Sequence, residues 1–177
     1  MAKKRLKPRP FSRGLTMGAV AFTLALFLSL PSQEIISRSS LYLALAILLL
    51  VVLLGVVFDM VGVAAAAAEE APFHAMAAKK VPGARQAVYL VRHADRVSSL
   101  ANDLVGDIAA SVSGGAALAL VYRLSAPEWA PFSLALVSAL TIGGKAATKG
   151  LALKHSVPLM LWAGRVVSLF WRGAGRP

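Results

Sequence analysis

The chain has no cysteine among its 177 residues, which removes disulfides, thiol catalysis and cysteine-based zinc sites together. Charge is also scarce. Only 15% of residues are charged, against 58% apolar, where a soluble domain is nearer one quarter charged. Low hydrophobicity, the requirement for intrinsic disorder, is missing as well. No phosphate-binding loop, HExxH pair or nucleophile elbow occurs, and no nucleophile and base converge, so the expectation is that the protein is not an enzyme. The basic residues are not interleaved with aromatics, which argues against nucleic acid.

What is present is apolar residues gathered into runs, and runs of about 20 suit a bilayer. Four spans are expected: 15–30, about 41–68, about 105–122 and about 132–142. The second is apolar except for Asp59, and the third carries Asp107. A stretch from Val157 to Trp171 contains Pro158, Gly164 and Arg165 and reads as an interfacial helix. The first run follows a basic stretch, residues 1–14, as a signal peptide would. Ser29-Leu30-Pro31 lacks a small-x-small cleavage pattern, so retention as a span is expected.

Lysine and arginine set the orientation. Residues 1–14, 69–104 and the segment after Gly144 hold 17 of the 19 basic residues. Arg38 and Arg123 are the two in the remaining connections. The positive-inside rule then puts both termini and residues 69–104 in the cytoplasm of a multi-pass cell-membrane protein.

Residues 69–104 read as a helical hairpin that turns at Val81-Pro82-Gly83. In its second arm Ala84, Ala87, Val88, Val91 and Ala94 recur at helical spacing, while Arg85, Tyr89, Arg92 and Arg96 fall on another face. That basic face suits anionic lipids or plain solvation, and the two readings stay open. Within the arm, Val88 to Asp95 resembles the phosphohistidine motif of the histidine phosphatase superfamily at Arg92-His93. The α/β strand pattern and the second Arg and His that such chemistry needs do not accompany it.

Carboxylates inside a membrane cost roughly 2.5–3.5 kcal/mol on insertion scales, so each requires a reason. Asp59, Asp107, Thr141 and the Gly143-Gly144 pair fall at similar depth, toward the cytoplasm. Carboxylates, hydroxyls and exposed carbonyls together suit a hard cation such as Mg²⁺. The candidate ligand set is Asp59, Asp107, Ser111, Thr141 and the Gly143 carbonyl. The competing readings are that Asp59 pairs with a cation such as Lys145, that Asp103 caps a helix, and that Ser111, Ser113, Gly114 and Gly115 serve helix packing.

From Leu41 onward the order of elements resembles the transmembrane domain of the cyclin M / CorC family of magnesium transporters. Three places carry the resemblance: Phe58-Asp59-Met60-Val61-Gly62 at the end of a span, Pro82-Gly83-Ala84-Arg85-Gln86-Ala87 in the hairpin, and Thr141-Ile142-Gly143-Gly144-Lys145 at the end of the last span. It covers about residues 41–171, with the span 15–30 additional, the hairpin 69–104, and a closing interfacial helix 144–171. It implies an all-α polytopic fold, a homodimer and divalent-cation transport, with Mg²⁺ as bound or transported ion. The chain departs from the family pattern at its ligand positions. Asp59 and Val61 stand where the family has serines, Gly62 and Thr141 where it has glutamates. A non-transporting scaffold built on the same fold is the alternative.

Overall fold

The computed structural model describes residues 10–170, with side chains described from Gly14 onward except at Ser37. Residues 1–9, with most of the basic N-terminal stretch, and 171–177, with Trp171, Arg172 and Arg176, lie outside the described residues. Among those described, every element is a helix. They run α1 (Pro10–Arg38), α2 (Leu41–Ala67), α3 (Ala71–Ala78), α4 (Ala84–Arg92) and α5 (Ala94–Ser98). A π-helical segment, Ser99–Gly106, then carries α5 directly into α6 (Asp107–Arg123). A 3₁₀ turn at Pro127–Trp129 leads into α7 (Ala130–Lys154), and α8 (Ser156–Phe170) follows. Four helices are long and apolar enough to cross a membrane: Gly14–Ile36, Leu41–Ala67, Ala94–Arg123 and Pro127–Lys154.

Helix ends follow local chemistry. Ser40 begins α2, its Oγ accepting from Leu43 N–H at 3.3 Å. At the end of α1 the Ile36 carbonyl accepts from Arg123 Nη1 at 2.8 Å, so one of the two isolated arginines satisfies a helix C-terminus 87 residues away. Between α3 and α4 the chain reverses through Lys80 and Gly83, both at positive φ (57° and 84°), and Gly83 adopts this conformation without steric cost.

Small residues set how closely the helices approach. Where α2 crosses α6, a Cβ on Gly55 would stand 3.0 Å from Ala109 Cβ. Where α2 crosses α7, a Cβ on Gly144 would stand 2.9 Å from Val56 Cγ2. Val52, Ala117 and Val137 form the cluster among these three helices, and α1 adds a cluster with Ile36, Ala44, Ala116 and Leu120. At the other end of α2, fully buried Phe73 of α3 sits among Ala64, Ala65, Ala87, Val91 and Met160. The hairpin is thereby clamped between α2 and α8. The α4–α8 crossing is closer still. A Cβ on Gly83 would be 2.6 Å from Arg165 N, and one on Gly164 would collide with the Gly83 carbonyl.

Two boundaries differ from the sequence expectation. The third long helix starts at Ala94, ahead of the 105 read from hydropathy, so the second arm of the hairpin ends at His93. Asp103 accordingly caps nothing; it lies inside the π segment and accepts from Ser99 Oγ at 2.9 Å. The Gly143-Gly144 pair does not end α7, which continues to Lys154, and the break before the closing helix falls at His155. Two helical glycines cost about 1 kcal/mol each, but Gly144 is where Val56 packs, and that contact needs a residue without Cβ.

Candidate functional site

The close packing of α2, α6 and α7 has a direct consequence one turn further along. Asp59 follows Val56 on α2, Lys145 follows Gly144 on α7, and Asp107 opens α6. Lys145 Nζ lies 3.5 Å from Asp59 Oδ1 and 3.9 Å from Asp107 Oδ1. Gly106 leaves space for the ammonium: a Cβ there would stand 3.3 Å from Lys145 Nζ. The side chains of Asp59 and Lys145 are 16% and 23% exposed, that of Asp107 73%. Lys145 and Asp59 therefore form the inner pair, and Asp107 is an outer carboxylate within reach of the same cation.

The other candidate ligands do not join them. Thr141 lies one turn before Lys145 and is buried, but its Oγ1 donates to the Val137 carbonyl of its own helix at 2.8 Å. Ser111, one turn after Asp107, is exposed. Gly143 is exposed with nothing near its Cβ direction, and its carbonyl lies inside a continuous α-helix. Among the described residues no three His, Cys, Asp or Glu side chains gather in a way that could hold a metal ion. The five residues thus do not assemble as an oxygen cage. Two of them meet, and a lysine stands between those two.

A second polar feature escaped the sequence reading. Asn102, in the π segment, keeps its Oδ1 buried with no hydrogen-bond partner. Its Nδ2 donates weakly to Ser98 Oγ at 3.4 Å. The Oδ1 faces Gly62 of α2 so closely that a Cβ on Gly62 would collide with it. The only advance signal was a glycine within an otherwise apolar run, one turn after Asp59.

The hairpin carries a different charge cluster. Glu70 Oε2 accepts from Arg92 Nη2 at 3.1 Å and Nε at 3.3 Å, and lies 3.3 Å from His74 Nε2. The Arg92 hydrogen bond, then that of His74, holds the Glu70 carboxyl below its ordinary value, against a smaller upward pull from desolvation. His93 Nδ1 lies 2.9 Å from the Tyr89 carbonyl, and the two rings are 4.4 Å apart. Arg92 and His93, the pair in the phosphohistidine-like motif, thus have separate local partners. Of the three arginines expected to face lipid, Arg92 is engaged by Glu70, while Arg85 and Arg96 are exposed.

No protein-family model, curated protein or solved structure matches the chain.

Proposed function

We propose that this chain is a multi-pass membrane protein whose four long helices span the bilayer with both termini and residues 69–104 on the cytoplasmic side. Within it, Asp59, Lys145 and Asp107 act as a structural lock. The function best supported is that of a non-transporting membrane scaffold, which holds the hairpin and α8 rigidly at the inner surface. One observation carries this reading: Lys145 Nζ stands between the two carboxylates that a divalent cation would need. A tethered ammonium neutralises Asp59 at low cost, because its arrival requires no dehydration of a doubly charged ion. Mg²⁺ binds with near-octahedral geometry, sheds water reluctantly and requires oxygen ligands. Here it would have to displace a cation held on the same chain, and the remaining oxygens of the set point elsewhere.

A second reading has its own support. The Asn102 Oδ1 is a buried acceptor without a donor, and such a group costs about 1–3 kcal/mol. A state in which Lys145 swings away would open Asp59 and Asp107 to Mg²⁺, with the Asn102 acceptor against Gly62 one turn further along α2. In that reading the protein binds or moves a divalent cation, and the lysine is a gate.

Thermal unfolding of the purified chain in detergent separates the two. A ligand bound only by the folded state adds about 2.7 kcal/mol at 100 times its Kd. The lock reading expects no Mg²⁺-selective rise in Tm over Ca²⁺ and Na⁺ controls, either in the natural chain or in Lys145→Met. A selective rise in either protein, lost on adding Asp59→Asn, would overturn it in favour of the gated cation site.

A further inference from the structure

An apolar groove of about 430 Å³ runs between α2, the α4–α5 corner, the π segment and α8. Phe58 and Val61 of α2, Leu90 of α4, Leu100 and Val105 of the π segment, and Trp162 of α8 line it. No charged side chain is among its lining residues. Phe58 and Val61 come about 26–30 Å along α2 from Leu41 at 1.5 Å per residue. In a hydrocarbon core about 30 Å thick that is the inner boundary. The open side of the groove is therefore at the depth where acyl chains meet headgroups.

Two arginines adjoin its lining residues along the chain. Arg96 precedes the lining residue Val97 and lies one turn before Leu100. Arg165 follows Trp162 by three residues and precedes the lining residue Val166. Both are exposed. Arg165 Nε donates to the Pro82 carbonyl at 3.4 Å, which holds its stem against the α3–α4 turn and leaves its terminal amino groups without a partner among the described residues. Arg96 has no ion pair among the described residues. Its neighbour Asp95 falls two residues from Val97, about 200° around the helix, away from the groove. The chain carries a net charge of +11, and 17 of its 19 basic residues belong to the side this groove faces. An apolar slot with exposed arginines beside it at the membrane boundary suits a glycerophospholipid with an anionic headgroup.

We infer that this groove is a binding site for a single anionic phospholipid, with one acyl chain along Phe58, Val61 and Trp162 and the phosphate between Arg96 and Arg165. The inference rests on the membrane reading above and is independent of what Lys145 does. It differs from a diffuse basic face in naming two arginines on separate helices, and in leaving Arg92 to Glu70.

Quenching of tryptophan by lipids brominated on the acyl chain tests it in vesicles of the full-length chain. One protein keeps Trp162 alone (Trp129→Phe, Trp171→Phe). A control keeps Trp129 alone, at the start of α7. Brominated phosphatidylglycerol should quench Trp162 in preference to brominated phosphatidylcholine, while Trp129 shows no preference. An arginine at an anionic surface changes partitioning about fivefold. Arg96→Gln or Arg165→Gln should reduce the preference by about that factor, and both together should abolish it. Val61→Phe, which fills the slot with both arginines intact, should also lower it. Equal quenching of Trp162 by the two lipids would overturn the inference, leaving the groove bathed in bulk lipid. Weak quenching of Trp162 by both, with Trp129 quenched normally, would also overturn it, because protein such as a second copy then covers the slot. Failure of both tryptophans to quench would instead sink the membrane reading itself.

Discussion

The molecule contains two three-membered charge clusters built in opposite senses. Between α2, α6 and α7 one cation, Lys145, serves two carboxylates; in the hairpin one carboxylate, Glu70, serves two nitrogen bases. The distances are similar, 3.1–3.9 Å. The surroundings are not. The inner Asp59–Lys145 pair is 16% and 23% exposed, the Glu70–Arg92 pair 37% and 58%. Water screens the second pair and leaves it little net worth. The first pair has lost much of its water, so breaking it leaves a charge with no compensation. Geometry alone would rank the Arg92 contact higher, with two nitrogens on one oxygen; burial reverses the order.

Removing one partner from each cluster gives the largest test of this contrast. Lys145→Met should cost about 3–5 kcal/mol of stability in detergent, the range for orphaning a buried charge. Adding Asp59→Asn should restore most of the loss, because the orphan is then neutral. Arg92→Met in the hairpin should move the midpoint by less than the error of an unfolding curve. Equal effects at the two sites would mean that Asp59 reaches water more freely than its exposure indicates.

If charge contributes so little to the hairpin, apolar packing and backbone contact must hold it. Gly164→Ala sharpens that point. The added methyl would collide with the Gly83 carbonyl and stand 2.9 Å from Ala87 N, and backbone on both sides cannot yield as a side-chain tip can. A loss of about 1–3 kcal/mol is expected. The readout is the unfolding midpoint, with proteolysis between α3 and α4 reporting whether the hairpin detaches first. A Gly164→Ala protein as stable as the natural one would mean that the α4–α8 crossing is loose.

Asn102 extends the comparison to a polar group with no partner on its oxygen. Asn102→Ala removes the unsatisfied acceptor without adding bulk against Gly62, so stability should change little under the lock reading. A Mg²⁺-dependent rise in the midpoint of the natural chain that this change abolishes would show that the amide oxygen meets the ion, as the gated cation site requires. The midpoint, measured with and without Mg²⁺, distinguishes these outcomes.

How far the sequence reached follows from the same physics. Its hydropathy marked four long apolar helices, and the 3.6-residue period of α4 marked Ala84, Ala87 and Val91, all of which are buried. The period worked because α4 is apolar on one face only. Helices α2 and α6 are apolar nearly all round, so nothing in the pattern says which way Asp59, Asp107 or Ser111 faces. Depth along the axis was legible from residue counting; rotation about it was not. Asp59 and Asp107 both reach Lys145, while Ser111 and Gly143, at comparable positions along their helices, are exposed and make no polar contact with that lysine among the described residues. The Gly143-Gly144 pair misled for another reason. As local signals two glycines read as a helix end, but α7 runs on through both, and Gly144 lies against Val56, 88 residues earlier. The closeness of Asn102 to Gly62 depends likewise on the register between two helices.

The smallest expected effect is the most specific to the exposed cluster. Arg92 and His74 lower the folded-state pKa of Glu70 below its unfolded value of about 4.3. A depressed carboxylate pKa contributes stability that is fully present above the unfolded value and is lost as pH falls through the folded one. Acidification below about pH 4.3 should therefore loosen the α3–α4 hairpin first. Amide hydrogen exchange along 69–92 between pH 3 and 5, corrected for the intrinsic pH dependence, would register the change, and Glu70→Gln should remove it. An unaltered pH response in Glu70→Gln would assign the acid sensitivity to another carboxylate. The division between a screened hairpin cluster and a dehydrated inner pair would then have to be redrawn.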